Sequence, residues 1–335
     1  MQALKAFGKG IIQLVEEPTP TLSIGEVLIR PLAIGLCGTD LDIVNSKIDP
    51  AFVLYPVTLG HEWCGVVINR SEDVTRIDIG DRVVVQGIIP CEFCIQCLSG
   101  YTNRCEVYDE YGFTRDGAGS SAVVAKEQLV HKILPAVSDE SAVLIEPAAV
   151  VMTGLIKMGL VPGAKILIVG DGTIGLITAR LVRSWSPAQV DMVGLRVEQE
   201  LLAGLAGVDN FLLTSQANIE KYDVVIEASG SKAGTEMAFN KIARGGKLLI
   251  LGFIGHEVSI SLIVDEIVNG DFSIFGSFGY TTVAWSKTVA LLNSKELELT
   301  FIVTHRFDLA DWESGFKALS NASAPRGKVL LLPNN

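Results

Sequence analysis

The sequence has no long apolar run and comparatively little positive charge. Its longest stretch without Asp, Glu, Lys or Arg runs from Phe272 to Ser286, and two glycines interrupt it, whereas a membrane-spanning helix needs about 20 apolar residues. Lys and Arg number 27 against 38 Asp and Glu, a formal net charge of −11. This balance argues against nucleic acid or an anionic membrane as the main partner. No export signal opens the sequence, so we expect a cytoplasmic protein.

Proline is also scarce, with 12 residues against 33 glycines, and no collagen-like period is present. Apolar residues make up 49% of the chain and charged residues 19%, which excludes a disordered protein. A length of 335 residues is typical of two domains at about 150 residues each. In a reducing compartment the six cysteines are expected to be metal ligands or core thiols, not disulfides.

Two regions of the chain differ in pattern. Residues 1–150 contain short strand-like runs separated by Gly, Pro, Asp and Asn, as in an irregular β-rich domain. Between residues 151 and 285, short apolar runs alternate with helix-length segments: Lys165–Val169, Gln189–Val193, Asp223–Glu227, Lys247–Leu251 and Phe272–Phe275. This alternation predicts an α/β fold with a doubly wound parallel sheet. Residues 286–335 are predicted to add two helices and a final strand, Lys328–Leu332.

A glycine-rich loop follows the first of these predicted strands and opens a helix. Gly170, Gly172 and Gly175 form a GxGxxG pattern that also contains Thr173 and Ile174. The first glycine permits a tight turn, the second lets a pyrophosphate approach the backbone, and the third lets helix and strand pack closely. Free N–H groups at the helix start would bind the phosphates. The alternative is a tight turn that binds no ligand.

The acidic residue that usually binds the ribose hydroxyls is missing. It is expected at the end of the second predicted strand, where the sequence has Gly194, followed two residues later by Arg196. Loss of the carboxylate removes repulsion of a 2′-phosphate, and a guanidinium could bind that phosphate. The sequence therefore favours NADP(H) over NAD(H), unless Arg196 is merely a solvated surface residue.

Four cysteines lie close together in a polar, turn-rich segment. Cys91, Cys94, Cys97 and Cys105 have the spacing CxxCxxCx7C. Four thiolates suit a closed tetrahedral zinc site, which stabilises structure and leaves no position for substrate. An iron–sulfur cluster is the competing interpretation, although the spacing and the missing proline disfavour it.

Residues for a second, open metal site are scattered. Cys37, His61 and a glutamate, Glu62 or Glu146, offer one thiolate, one imidazole and one carboxylate, which leaves a fourth position for water or substrate. Asp40 could accept a hydrogen bond from His61 and fix its tautomer, and Thr39 could relay a proton. Each residue alone also has an ordinary structural explanation, and spacing does not join them.

The order of the motifs along the chain connects these scattered residues. CGTD at 37–40, GHEWCG at 60–65, the four-cysteine segment, LIEPAAV at 144–150 and GDGTIG at 170–175 occur in sequence. The chain resembles the zinc-containing medium-chain dehydrogenase/reductase family (the alcohol dehydrogenase superfamily) over nearly its whole length. The glutamates at 62 and 146 resemble the polyol (sorbitol) and threonine dehydrogenase branch more than simple alcohol dehydrogenases.

The resemblance implies a GroES-like catalytic domain at 1–150 with both zinc sites, a Rossmann domain at 151–285, and a segment at 286–335 that returns to the catalytic domain. It implies a catalytic zinc on Cys37, His61 and Glu62 or Glu146, with Thr39 in proton relay. It also implies a homo-dimer or homo-tetramer. Beyond the glycine loop and the residues at 194 and 196, the implied cofactor-lining residues are Ser229, Gly252, Phe253, Gly276 and Ser277.

The resulting hypothesis is a zinc-dependent NAD(P)(H) oxidoreductase that interconverts a secondary alcohol of a polyol, sugar or cyclitol with its ketone. An amino-alcohol dehydrogenase of the threonine type is the nearest alternative. A non-catalytic NADPH-binding protein and a zinc-free quinone reductase are two others on the same fold. Where many relatives have DGGFAEY, residues 116–122 read DGAGSSA, so the substrate pocket is expected to differ.

Overall fold

The chain forms two units, which differ in how their strands pair. The computed structural model describes residues 1–216, 220–321 and 325–333. One unit comprises Met1–Glu146, Thr281–Ala322 and Lys328–Asn335, and the other comprises Pro147–Tyr280 and Ser323–Gly327. The sequence-based limits at 150 and 285 stay predictions. The C-terminal segment at 286–335 likewise stays a prediction.

The first unit begins with short strands joined by turns and short helices. Its strands are β1 (Gln2–Gly8), β2 (Ile11–Glu16), β3 (Glu26–Leu36), β4 (Val57–Thr58), β5 (Glu62–Arg70), β6 (Arg82–Val85), β7 (Val123–Lys126) and β8 (Val130–Lys132). Its helices are α1 (Gly38–Val44), α2 (Ile95–Leu98) and α3 (Asp139–Val143). Strands β3 and β5 pair antiparallel along most of their length, so the residues at the end of one strand lie beside the start of the other.

Strands and helices alternate in the second unit. Its helices are α4 (Ile145–Met158), which starts just before the unit, α5 (Thr173–Val182), α6 (Glu200–Ala206), α7 (Lys232–Phe239) and α8 (Val264–Gly270). Its strands are β9 (Lys165–Val169), β10 (Gln189–Gly194), β11 (Asn210–Leu213), β12 (Tyr222–Glu227), β13 (Ile242–Ile250) and β14 (Ser273–Gly276). The central strands β9, β10 and β12 are mostly buried, as expected of a parallel sheet covered on both faces, whereas the edge strand β11 is partly exposed and the edge strand β14 is largely exposed.

The sheet of the second unit has the order β11-β10-β9-β12-β13-β14, with every pair parallel. This is the 3-2-1-4-5-6 order of a doubly wound dinucleotide-binding fold. The predicted α/β class is confirmed. The strand order reverses between β9 and β12, and ligands of such sheets bind at the carboxyl ends of the strands at this point.

The chain then returns to the first unit through α9 (Thr282–Asn293), β15 (Val303–Asp308), α10 (Trp312–Ser320) and β16 (Lys328–Leu332). Strand β16 pairs with β3, and the larger sheet has the order β15-β16-β3-β5-β6-β8, with β7 beside β3. A three-stranded sheet, β2-β1-β4, completes the unit. The pairing of β16 with β3 places the last strand beside Cys37.

In the described part of the chain, no helix combines the length and the apolar character that crossing a membrane would require.

Candidate active site

The turn after β3 fixes the position of Cys37. Cys37 precedes the first residue of α1, and its backbone N–H donates a 2.8 Å hydrogen bond to Oδ2 of Asp40. An acidic residue at the third helical position that bonds back to the cap stabilises a helix start. The Cys37 thiol therefore lies at a defined point between strand and helix, with Thr39 Oγ1 3.6 Å from its sulfur.

Glu62 starts the neighbouring strand, β5, and His61 directly precedes it. Gly60 precedes them with φ +100°, and a Cβ at this glycine would lie 2.9 Å from Ile34 Cγ2, so both the turn and the space require glycine. Asp40 is fully buried, and its Oδ1 lies 3.5 Å from Nδ1 of His61. The structure thus places the Asp40 carboxylate beside the imidazole.

Cys37, His61 and Glu62 come together. One ligand atom from each lies within 4.8 Å of the other two, although the three residues come from two separate segments. Burial lowers the pKa of His61, but Asp40 and Cys37 raise it well above its usual value, so the surroundings favour positive charge at this point. A thiolate, an imidazole and a carboxylate form a three-ligand set of the kind that leaves a zinc position open.

Glu146 lies outside that group of three ligand atoms, so the structure does not bring it together with them at ligand distance. Its charge nevertheless interacts with the others: burial raises the pKa of Glu146 to about 8, with Glu62 adding to the rise. Of the two glutamates named from the sequence, Glu62 is the one placed among the candidate ligands.

Lys328 is a site residue that sequence reasoning missed. It is 3% exposed, and its Nζ lies 2.7 Å from Glu62 Oε1 and 3.3 Å from the carbonyl oxygen of Leu36. Burial lowers the pKa of Lys328, but Glu62, Cys37 and Glu146 together raise it. Its only signal in the sequence is a lysine at the start of an otherwise apolar strand, KVLLL.

The four-cysteine segment forms a second cluster in the same unit. Sulfur atoms of Cys91, Cys94, Cys97 and Cys105 lie within 4.8 Å of one another, and the first and third are 3.9 Å apart. Tetrahedral zinc with Zn–S bonds of about 2.3 Å separates its sulfurs by roughly 3.8 Å, so the spacing fits. All six cysteines are free thiols, and the remaining one, Cys64, is a fully buried core residue.

The N–H groups of the segment point at its sulfurs. Backbone N–H groups of residues 91, 94 and 97 donate to sulfurs of Cys105, Cys91 and Cys94 at 3.3, 3.3 and 3.4 Å. Hydrogen bonds from the backbone of Glu106 and Cys97 lower the pKa of Cys94 to about 6. Because hydrogen bonds stabilise the thiolate form, the segment is prepared to hold a metal ion.

The glycine loop of the second unit has the predicted geometry. Gly170 has φ +120°, and a Cβ on it would lie 2.7 Å from the carbonyl carbon of Ala228; a Cβ on Gly175 would lie 2.0 Å from Gly170 O. Gly172, by contrast, has open space around its Cβ position and precedes Thr173 and Ile174, which begin α5. The loop is therefore closed on the protein side and open where a phosphate would approach.

The end of β10 explains the missing acidic residue. A Cβ on Gly194 would lie 2.5 Å from Asp171 Oδ2 and 2.5 Å from Phe211 Cζ. Asp171 fills this space because its Oδ2 accepts the N–H of Leu195 at 3.0 Å, while its Oδ1 lies 3.6 Å from Nη2 of Arg196. The guanidinium is consequently held at the strand end by an acid that sequence reasoning did not use.

The other predicted cofactor residues lie at the carboxyl ends of the sheet strands. Paired residues Val169, Glu227, Ile250 and Gly276 align across β9, β12, β13 and β14, which brings Ser229, Gly252, Phe253 and Ser277 to one edge. Phe253 is 72% exposed there. Glu227, which sequence reasoning missed, is buried and accepts the N–H groups of residues 229 and 230 at 2.8 and 3.2 Å.

Comparisons with known proteins agree with this architecture. Residues 23–135 match the model of the alcohol dehydrogenase GroES-like domain, and residues 209–294 match that of zinc-binding dehydrogenases. Sorbitol dehydrogenase of Halalkalibacterium halodurans is 28% identical, covering 97% of each chain. L-threonine 3-dehydrogenase of Photorhabdus laumondii is 29% identical, covering 96% of each.

A solved structure is also similar over its whole length. The crystal structure of a zinc-binding dehydrogenase from Sinorhizobium meliloti 1021, bound to NADP, aligns with a TM-score of 0.92 at 25% identity and covers 99% of each chain. The predicted combination of a GroES-like unit with a Rossmann unit is confirmed.

Proposed function

Since this chain belongs to the zinc-containing medium-chain dehydrogenase/reductase family, a group of alcohol dehydrogenases, we propose that it oxidises a secondary alcohol of a polyol, sugar or cyclitol, or reduces the ketone. NADP(H) is the proposed hydride carrier. The single observation that carries the proposal is the convergence of Cys37, His61 and Glu62 within 4.8 Å.

These three side chains would hold the catalytic zinc, and Cys91, Cys94, Cys97 and Cys105 would hold a structural one. A zinc ion with a free position polarises an alcohol or carbonyl oxygen and lowers the pKa of the alcohol. Hydride transfer itself belongs to the nicotinamide. The chain supplies position, charge and a path for the proton.

Each neighbouring side chain has a part in this arrangement. Thr39, with its hydroxyl 3.6 Å from the Cys37 sulfur, is placed to take the alcohol proton towards solvent. Asp40 holds the His61 ring so that one imidazole nitrogen faces the cluster. Lys328 pairs with the buried carboxylate of Glu62 and supplies its counter-charge. Glu146 is a second carboxylate, and its charge interacts with those of Glu62 and His61.

The cofactor preference rests on the end of β10. Position 194 itself carries no carboxylate, and the carboxylate of Asp171 beside it is paired with Arg196, whose guanidinium would bind a 2′-phosphate. The NADP in the Sinorhizobium structure supports the same preference.

Arg196→Ala should raise the KM for NADPH about 10- to 100-fold, because a charge-assisted contact contributes roughly 1.5–3 kcal/mol. The KM for NADH should change less than 3-fold. Steady-state kinetics with both cofactors measures the two values, and Arg244→Ala serves as a matched control within the same unit. An equal loss for both cofactors would contradict the proposed role of Arg196.

Metal analysis combined with a substrate screen tests the function as a whole. We expect two zinc ions per chain and NADP-dependent turnover of polyols, cyclitols or sugar phosphates. Threonine belongs in the screen, because the Photorhabdus relative is a threonine dehydrogenase. One zinc per chain with no turnover of any alcohol would favour the non-catalytic alternative. A homo-dimer or homo-tetramer and a cytoplasmic location stay predictions.

A further inference from the structure

A tight turn packs directly against His61. The carbonyl oxygen of Glu110 accepts the N–H groups of Phe113, Thr114 and Arg115 at 3.3, 3.0 and 3.0 Å. Gly112 within this turn has φ +84°, and a Cβ there would lie 3.2 Å from the backbone nitrogen of His61. The ring of Phe113 lies 5.3 Å from the imidazole, centroid to centroid. The turn is therefore a wall of the candidate active site.

Glu110 begins that turn and is a buried acid with no part in the arrangement described so far. Its side chain is 7% exposed, and Oε2 accepts a hydrogen bond from the hydroxyl of Tyr108. The Tyr108 ring is itself fixed edge-on against Phe52 at 5.1 Å. Oε1 has no hydrogen-bond partner among the residues that the structure describes. One carboxylate oxygen is thus held in place while the other stays available.

The charge of Glu110 is coupled electrostatically to the site. Its carboxylate interacts with the charges of His61 and Glu146, yet it lies outside the set of ligand atoms formed by Cys37, His61 and Glu62. Burying a carboxylate without full pairing costs free energy. A buried acid next to a ligand set, and not part of it, is suited to contact the molecule that the set binds.

We propose, building on the function above, that Glu110 accepts a hydrogen bond from a donor group on the substrate carbon next to the carbinol carbon. The reacting oxygen is directed to Cys37, His61 and Glu62. Because the turn that Glu110 begins packs on His61, its carboxylate is assigned to the adjacent substituent. A hydroxyl and an ammonium group are both donors that suit a carboxylate. Glu110 thereby selects vicinal diols or 2-amino alcohols over simple secondary alcohols, which would leave its carboxylate unpaired.

Three substrates of similar size isolate this contact: butane-2,3-diol, 3-aminobutan-2-ol and butan-2-ol. The quantity measured is kcat/KM for each donor-bearing substrate divided by kcat/KM for butan-2-ol. In Glu110→Leu we expect one of these two ratios to fall about 10- to 100-fold, namely the ratio for the substrate whose donor group Glu110 binds. The expected size is that of leaving a buried charged group unpaired. Tyr108→Phe should lower the same ratio by a smaller factor, because it frees the carboxylate to turn away.

The conservative variant separates the two donors. Glu110→Gln keeps an acceptor oxygen but loses the charge, so it should restore much of the ratio for a hydroxyl and little of it for an ammonium group. Glu72→Gln, an exposed acid of the same unit, is the matched control and should leave both ratios unchanged. Zinc content and thermal unfolding of each variant report whether the fold is intact.

Two results would overturn the proposal for Glu110 alone: ratios unchanged in Glu110→Leu, or an equal loss of activity on all three substrates, which indicates a structural role. A wild-type protein that binds two zinc ions and NADPH but turns over none of these alcohols, and none of the wider screen, would overturn the proposed function and this inference with it.

Discussion

The two candidate metal clusters lie in the same unit and differ in how the chain builds them. The four sulfurs of the cysteine cluster come from residues 91–105, and backbone N–H groups of that segment surround them. The Cys37, His61 and Glu62 cluster comes from the end of one strand and the start of another, and its counter-charge, Lys328, comes from the last strand. One cluster is local, and the other exists only once the fold is formed.

This difference matches the structural role proposed for one cluster and the catalytic role proposed for the other. Four like ligands with internal hydrogen bonds close the coordination and stabilise a segment with little core of its own, whose Phe93 and Leu98 are 71% and 70% exposed. Three unlike ligands surrounded by charged groups of both signs leave a position open and tune what binds there. The comparison makes three predictions, given from the largest expected effect to the smallest.

Cys97→Ala should destabilise the first unit by more than about 5 kcal/mol, because structural zinc contributes its binding energy to folding. Thermal or urea unfolding at saturating zinc measures the loss. Cys64→Ala is the control: it removes a thiol that is more deeply buried than that of Cys97 but belongs to neither cluster, and it should cost only about 1 kcal/mol. If the two variants were equally stable, the cysteine cluster would hold no structural metal.

Cys37→Ser combined with His61→Ala should lower turnover about 10³-fold or more, since Lewis-acid stabilisation supplies several kcal/mol to the reaction. Zinc should fall from two ions to one per chain, with NADPH affinity within about 2-fold of wild type. Metal analysis, kinetics and fluorescence titration measure these three quantities. Retention of both ions, or of turnover, would show that the clusters do not divide their roles in this way.

Lys328→Met should destabilise the zinc-free protein by about 3 kcal/mol, because it leaves the buried Glu62 carboxylate without its counter-charge. Zinc should restore part of this loss, since the carboxylate then has a cation to bind. Unfolding with and without zinc gives the difference. Lys132→Met, which removes an exposed ion pair with Asp81, is the control and should cost less than about 1 kcal/mol in either state.

The same contrast explains what the sequence could predict. Strands β9 and β16 have the limits that the apolar runs predicted, and the glycine loop and the cysteine segment were found because their chemistry is contiguous. Strand β11 was missed: it is short, lies at the sheet edge and is only partly buried, so its apolar signal is weak. Strand β13 was placed five residues late, because pairing already begins at Ile242, before the two glycines at 245 and 246.

Contacts between residues that are distant along the chain left no pattern in the sequence from which they could be predicted. Lys328 and Glu62 are 266 positions apart, and only the order of strands in the sheet makes them neighbours. Glu110 stands within a turn whose sequence indicates no function, and only the tertiary structure packs that turn, through Phe113, against His61. Local spacing predicted the four-cysteine cluster, and the resemblance to known dehydrogenases supplied Cys37, His61 and a choice of two glutamates, whereas the charges around the open cluster required the tertiary structure.

The crowded end of β10 has a consequence for changing the cofactor of this enzyme. An aspartate introduced at position 194 would have to occupy the volume that Asp171 and the ring of Phe211 already fill. An acid at position 194 therefore requires a smaller residue at position 171 in the glycine loop. Under the proposed NADP(H) preference, a change towards NAD(H) would therefore need a paired exchange at positions 171 and 194, which single substitutions do not reach.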